Sequence, residues 1–147
     1  MKLQLTTFGL LLGLPVLWSF NKKVSKGNLV VEISNIHKAE GQMFIAVFNQ
    51  EDGFPEDTSK MFKKVMLPVT SKNFSHTFWQ IPFGTYSISV FHDVNSNTEL
   101  DKNFFGVPEE PFGFSTNYKP IISAPDFDDC DFRFASATET HSIKLID

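Results

Sequence analysis

The chain has one cysteine, Cys130, in 147 residues. An intrachain disulfide is excluded, so a fold of this length must rest on its apolar core, with or without a metal. Cys130 sits between Asp129 and Asp131, whose charges disfavour a thiolate and with it a nucleophilic role. Tryptophan and tyrosine are scarce, two of each, against 17 phenylalanines, which reads as a core packed with Phe. Runs of basic residues are missing and the formal net charge is −4, so no nucleic-acid footprint is present. No stretch holds a helical period beyond two turns. There is no G-x-S-x-G elbow, no phosphate-cradling glycine loop and no H-E-x-x-H. The four histidines (His37, His76, His92 and His141) have no metal-ligand spacing.

The one long apolar run lies at the start. It extends from Phe8 to Phe20 behind Lys2, too short to span a bilayer comfortably and of the length of a signal-peptide core. Residues 1–20 are therefore expected to be a signal peptide cleaved near Ser19, with an uncleaved N-terminal anchor as the alternative. Residues 21–27 form a linker and 28–147 one domain. No cysteine follows the apolar run, so it is not a lipoprotein signal. The expected location is periplasmic or extracellular, with membrane contact only through an uncleaved N-terminal segment.

What the rest of the chain has is alternation of period two. Strands are expected at 28–36, 41–49, 60–69, 73–81, 85–93, 130–135 and 140–147. The link His37–Gly41 reads as a hairpin turn between the first two. About seven short strands with turns between them predict an all-β protein, a Greek-key β-sandwich of Ig-like or transthyretin-like type. Gly84 two residues before Tyr86 has the form of a tyrosine corner, in which the Tyr hydroxyl bonds back to the backbone at the strand entry. Residues 94–126 are too long for a plain connection and are expected to be organised or functional.

That segment opens with "HDVNSNTELDKNFFG". Asp93, Asn95, Asn97, the carbonyl of Glu99, and Asp101 fall at i, i+2, i+4, i+6 and i+8, the spacing by which one loop wraps a calcium ion with hard oxygen ligands. Thr98 stands where such loops use glycine, and Phe104 where they place a closing carboxylate. Another carboxylate must then complete the shell, and Glu109 and Glu110 are nearest in sequence. The competing reading is a solvated loop whose Asp and Asn side chains cap their own turns. His92, beside Asp93, reads either as a hydrogen-bonded histidine at the sandwich rim or, with Asp93 and Glu110, as part of a metal-dependent hydrolase site. The second acidic run, "DFDDCD" at 126–131, reads either as a second ion site or as turn-capping residues, and its irregular spacing favours capping. Apolar residues bracket the acidic loop, so Leu100 and at least one of Phe104 and Phe105 are expected to be buried, with Gly106 and Pro108 returning Glu110 toward Asp93.

The stretch "GTYSISVFHDVNSNTELDKNFFGVPEEPFGFSTN" (84–117) resembles the signature of a bacterial family of secreted domains of unknown function, DUF2141. His92, Asp93, Asn95, Asn97, Leu100, Asp101, Gly106, Pro108, Glu110, Gly113, Phe114, Ser115 and Asn117 fall on its pattern. Ser87 and Thr98 depart from it, where alanine and glycine are usual. The resemblance implies an exported β-sandwich and carries no established activity. It implies that Glu110, Phe114 and Ser115 belong to the same site. A binding surface of His92, Phe114, Ser115 and Asn117 is expected, facing a glycan or another envelope protein.

Overall fold

The computed structural model describes residues 25–147. The expected signal peptide, and the linker up to residue 24, lie outside the described residues. Eight strands among these residues form two sheets, the seven that the alternation predicts and one more, at 112–114, within the long segment 94–126. They are β1 (Lys26–Ser34), β2 (Gln42–Phe48), β3 (Lys63–Pro68), β4 (Phe74–Pro82), β5 (Gly84–Asp93), β6 (Phe112–Phe114), β7 (Phe132–Phe134) and β8 (Thr138–Lys144). One sheet has the order β4-β1-β8, with β1 and β8 parallel; the other runs β3-β2-β5-β6, with β7 also paired to β5.

The core lies between the sheets. Leu29, Val31 and Ile33 of β1 face Met43, Ile45 and Val47 of β2 and Ile88 and Val90 of β5, all fully buried or nearly so. The period of two decides this, because alternate residues of each strand share one face. The other face of β2 is apolar as well, and part of it is covered. Ala46 and Phe48 pack with Phe127 of the short helix α1 (Phe127–Cys130) and with Phe54 and Met61 of the β2–β3 connection. Farther along the same face Phe44 and Phe91 pair across β2 and β5 with ring centroids 5.0 Å apart, and they stay half-buried.

The tyrosine corner is present. Tyr86 Oη donates to the Pro82 carbonyl at 2.8 Å, and the ring packs against Phe62, Phe132 and Phe134. The hairpin expected at 37–41 is a correction. β1 and β2 belong to different sheets, so the link crosses the sandwich edge. Gly41 has a different task there. Its φ is +70°, and a Cβ at that position would come within 2.2 Å of the Asp93 carbonyl oxygen. The glycine lets the link lie against the end of β5. The acidic run at 126–131 is a capped helical turn, with Asp126 as N-cap and Asp129 completing a capping box.

Candidate functional site

β5 delivers His92 and Asp93 to the sandwich edge, both buried. The chain then turns sharply, and the acidic side chains fold inward around that turn. Asp93 Oδ1 accepts the Asn97 N–H at 3.1 Å and Oδ2 accepts the Thr98 N–H at 2.8 Å. Asn95 Oδ1 accepts the Asn97 N–H and Asn97 Oδ1 accepts the Glu99 N–H, each two residues on, as Asx turns do. The Asp101 carboxylate accepts the side-chain amides of both Asn95 and Asn97. Four side chains of the calcium-loop spacing, at i, i+2, i+4 and i+8, are thus gathered into one hydrogen-bonded group.

Glu110 closes the loop from the far side. Its Oε1 accepts the Val94 N–H at 2.8 Å and its Oε2 accepts the Asp101 N–H at 3.3 Å. One buried carboxylate therefore clasps both ends of the acidic turn. Asp101 also begins a small hairpin. Its carbonyl accepts the Glu109 N–H, the Asn103 N–H donates to the Val107 carbonyl, and Gly106 turns the tip at φ +79°. Asn103 Oδ1 accepts the N–H groups of Phe105 and Val107. Glu110 returns to Asp93 by this route, as the sequence predicts.

The expected apolar anchoring is a correction. Leu100 is half-buried, while Phe104 is 98% and Phe105 85% exposed. The hairpin is held by its own polar bonds, so its tip needs no apolar anchor and leaves both rings in water. A second correction concerns the expected binding surface. His92, Phe114 and Ser115 are buried. The His92 ring meets the Glu40 carbonyl through Nε2 at 2.7 Å, which makes Nε2 the protonated nitrogen. Ser115 Oγ accepts the Ile88 N–H and donates to the Cys130 carbonyl, tying β5, the turn after β6 and α1 together. Asn117 is exposed, yet its amide donates to the Ser142 carbonyl and its Oδ1 accepts the Lys144 N–H. Three of the four are buried and the fourth is tied to β8, so they do not form one outward face.

Among the described residues no three His, Cys, Asp or Glu side chains converge as a ready metal shell. The oxygens of Asp93 and Glu110 point at backbone N–H groups. The donor set of Asp93, Asn95, Asn97, the Glu99 carbonyl and Asp101 is nonetheless all hard oxygen, which fits calcium and no thiolate- or imidazole-seeking metal. The acidic turn takes the left-handed conformation twice, at Ser96 and at Thr98, and Thr98 stands at the glycine position of the calcium-loop spacing. Thr98 has φ +72°, the left-handed conformation that such loops reserve for glycine at the same position. The one cysteine, Cys130, is a buried free thiol. Burial first, then the charges of Asp129 and Asp131, push the Cys130 thiol up to about 12.

A separate concavity borders the loop. It is a cleft of about 480 Å³ over the uncovered part of the β2–β5 outer face, floored by Phe44, Phe91 and Phe112. Thr98, Glu99 and Leu100 line one side, while His92, Asp93 and Glu110 do not line it. With His92 buried and bonded to backbone, the geometry lends the hydrolase reading no support.

No curated protein and no solved structure matches the chain. One family model does, over residues 31–142, from inside β1 to the end of the site-bearing region and into β8. That span takes in both sheets, the clasped acidic turn and Glu110, and the chain belongs to DUF2141, a family described as uncharacterized protein conserved in bacteria.

Proposed function

We propose that this chain is a non-catalytic, exported binding module of the cell envelope whose loop 93–110 takes up calcium. The observation that carries the reading is the gathering of Asp93, Asn95, Asn97 and Asp101 around a turn with Thr98 in the left-handed conformation. Without an ion the Asn amides satisfy Asp101. Asp93, Asn95, Asn97 and Asp101 would hold an ion through side-chain oxygens and Glu99 through its backbone carbonyl, a hard-oxygen set of the kind calcium takes. Glu110, expected as the carboxylate that closes the metal shell, has both oxygens on backbone N–H groups, so it would hold the two ends of the loop together and not ligate the ion. The apolar segment at 8–20 and the absence of any disulfide pair favour an exported domain that gains from a structural ion.

An ion that binds only the folded state stabilises it by mass action, by about 2.7 kcal/mol at a hundred times its Kd. For a domain of this size that is roughly a 10 °C rise in Tm. Calorimetric scans in calcium and in chelator should differ by that much for the wild type, and the difference should vanish in Asp101→Ala. Identical melting temperatures in both buffers would sink the calcium reading.

A further inference from the structure

Most of the large apolar side chains left in water stand around one opening. Phe104 (98% exposed), Phe105 (85%) and Val107 (55%) form the hairpin tip; Ile121 (94%) and Ile122 (96%) form the tip of the facing segment 118–126. Phe105, Val107, Ile121 and Ile122 line the mouth of the 480 Å³ cleft, and Phe104 packs edge-on against Phe105 with centroids 5.5 Å apart. Contiguous exposed apolar groups of this kind mark an interaction surface.

The exposures identify the kind of partner. A small molecule in the cleft would cover Phe44, Phe91 and Phe112 and reach Ile121 and Ile122 at its mouth, yet it would leave Phe104, which does not line the cleft and is 98% exposed, in water. Two protruding tips suit a soft apolar phase that both can enter without matching pockets. The flanking charges suit one as well. Each apolar pair follows a lysine by two residues, Lys102 before Phe104-Phe105 and Lys119 before Ile121-Ile122. A lysine stem can lie along inserted apolar surface and return its ammonium to a phosphate at the head-group level. Lys102 is held at the base of its hairpin by an ion pair with Glu56.

We propose that the tips 102–107 and 119–122 enter the interface of a lipid bilayer together, with the five apolar side chains below the head groups and Lys119 at the phosphates. The inference rests on the binding-module reading and not on calcium. Glu99 and Glu109 on the same loop oppose strongly anionic lipid, so apolar insertion supplies most of the attraction.

The test uses the full chain throughout, in chelator, with brominated phosphatidylcholine vesicles containing some phosphatidylglycerol. Phe105→Trp and Ile122→Trp each place a fluorophore at one tip. The apolar N-terminal segment is common to all variants, so a signal at the tips is not its signal. Bromine quenching and a blue shift beyond those of the wild type, whose two tryptophans are Trp18 in the apolar N-terminal segment and Trp79 on β4, are expected for both variants. In the Phe105→Trp background, replacing Phe104, Ile121 and Ile122 with serine should raise the half-maximal lipid concentration about tenfold or more. An unchanged Tm for that variant establishes that the fold is intact. Unquenched tips overturn the proposal. A lipid-free dimer in sedimentation velocity that the serine substitutions dissolve also overturns it, and assigns the surface to a second copy. The calcium reading is untouched by any of these outcomes, since its ion is withheld.

Discussion

Where β5 begins, Tyr86 is held by aromatic neighbours and by one hydrogen bond to the Pro82 carbonyl; where it ends, Asp93 and its surroundings are held almost wholly by hydrogen bonds. The two ends of one strand are locked by different physics. Apolar packing is non-directional and sums over many weak contacts. The clasp at Asp93 and Glu110 is directional, and each oxygen has one assigned N–H. Removing a packed ring leaves a void, whereas removing an acceptor leaves a buried donor without a partner. Under the proposed calcium reading, the polar end would exchange its partners for a cation without rebuilding the sheet. A stable scaffold would then carry a loop whose order depends on its ligand.

The largest expected effect breaks the apolar end. Phe134 is fully buried and packs against both Tyr86 and Phe83. Phe134→Ala should cost about 3–5 kcal/mol in urea unfolding. Its effect should be the same in calcium and in chelator, because the void lies in the core and not in the loop.

Next comes the polar end. Glu110→Gln keeps the shape and one carbonyl acceptor but turns an amide NH₂ toward either the Val94 or the Asp101 N–H. A loss of about 2–3 kcal/mol is expected. Hydrogen exchange should show the amides of Val94 and Asp101 losing protection while those of β1 keep theirs. Equal loss of protection in β1 would mean that the loop and the sandwich unfold as one unit, and the contrast between the two ends would fail.

A smaller effect probes the single polar bond at the apolar end. Tyr86→Phe removes the bond to the Pro82 carbonyl and leaves the ring packing, and it should cost about 1 kcal/mol. If it costs as much as Glu110→Gln, the start of β5 is a polar lock as well.

The same contrast explains what the sequence made legible. Leu29, Val31, Ile33, Met43, Ile45 and Val47 announce their faces by period two, and the tyrosine corner lies within a few residues, so the scaffold could be read locally. β6 could not, because three residues are too few to set a period. The link before Gly41 reads as a hairpin because turn chemistry reports a change of direction and not which sheet receives the next strand. The reason for that glycine, the Asp93 carbonyl oxygen, lies far along the chain. The acidic turn was legible from its spacing, and Glu110 from proximity and from the family pattern. What no pattern carried was the direction of each bond. Ser115 looks like a surface group in a polar stretch and is a buried brace, whereas His92 is the hydrogen-bonded rim histidine that its place on the strand predicts. Phe104 and Phe105 look like core by composition and stand in water, because the hairpin beneath them is held by Asn103 and its own backbone.

The smallest expected effect sharpens the comparison most. Thr98 is β-branched and sits at φ +72°. The left-handed conformation costs a residue with a Cβ roughly 1–2 kcal/mol. Thr98→Gly removes that strain, but the glycine also loosens the unfolded chain, which takes back about 0.5–1 kcal/mol. The net gain in chelator should therefore be less than about 1 kcal/mol. A larger difference is expected in the ion-bound loop. The Thr98 N–H donates to Asp93 Oδ2, and Asp93 is the first residue of the calcium spacing, so easing the turn lets that carboxylate settle around an ion without straining the backbone. Calcium titration by calorimetry should show Thr98→Gly binding several-fold more tightly than the wild type, with Phe134→Ala giving no such gain. If Thr98→Gly leaves calcium affinity unchanged while raising Tm in chelator, the left-handed turn is a feature of the hydrogen-bonded loop alone. The polar end of β5 would then be a second fixed lock like the first, built of different bonds.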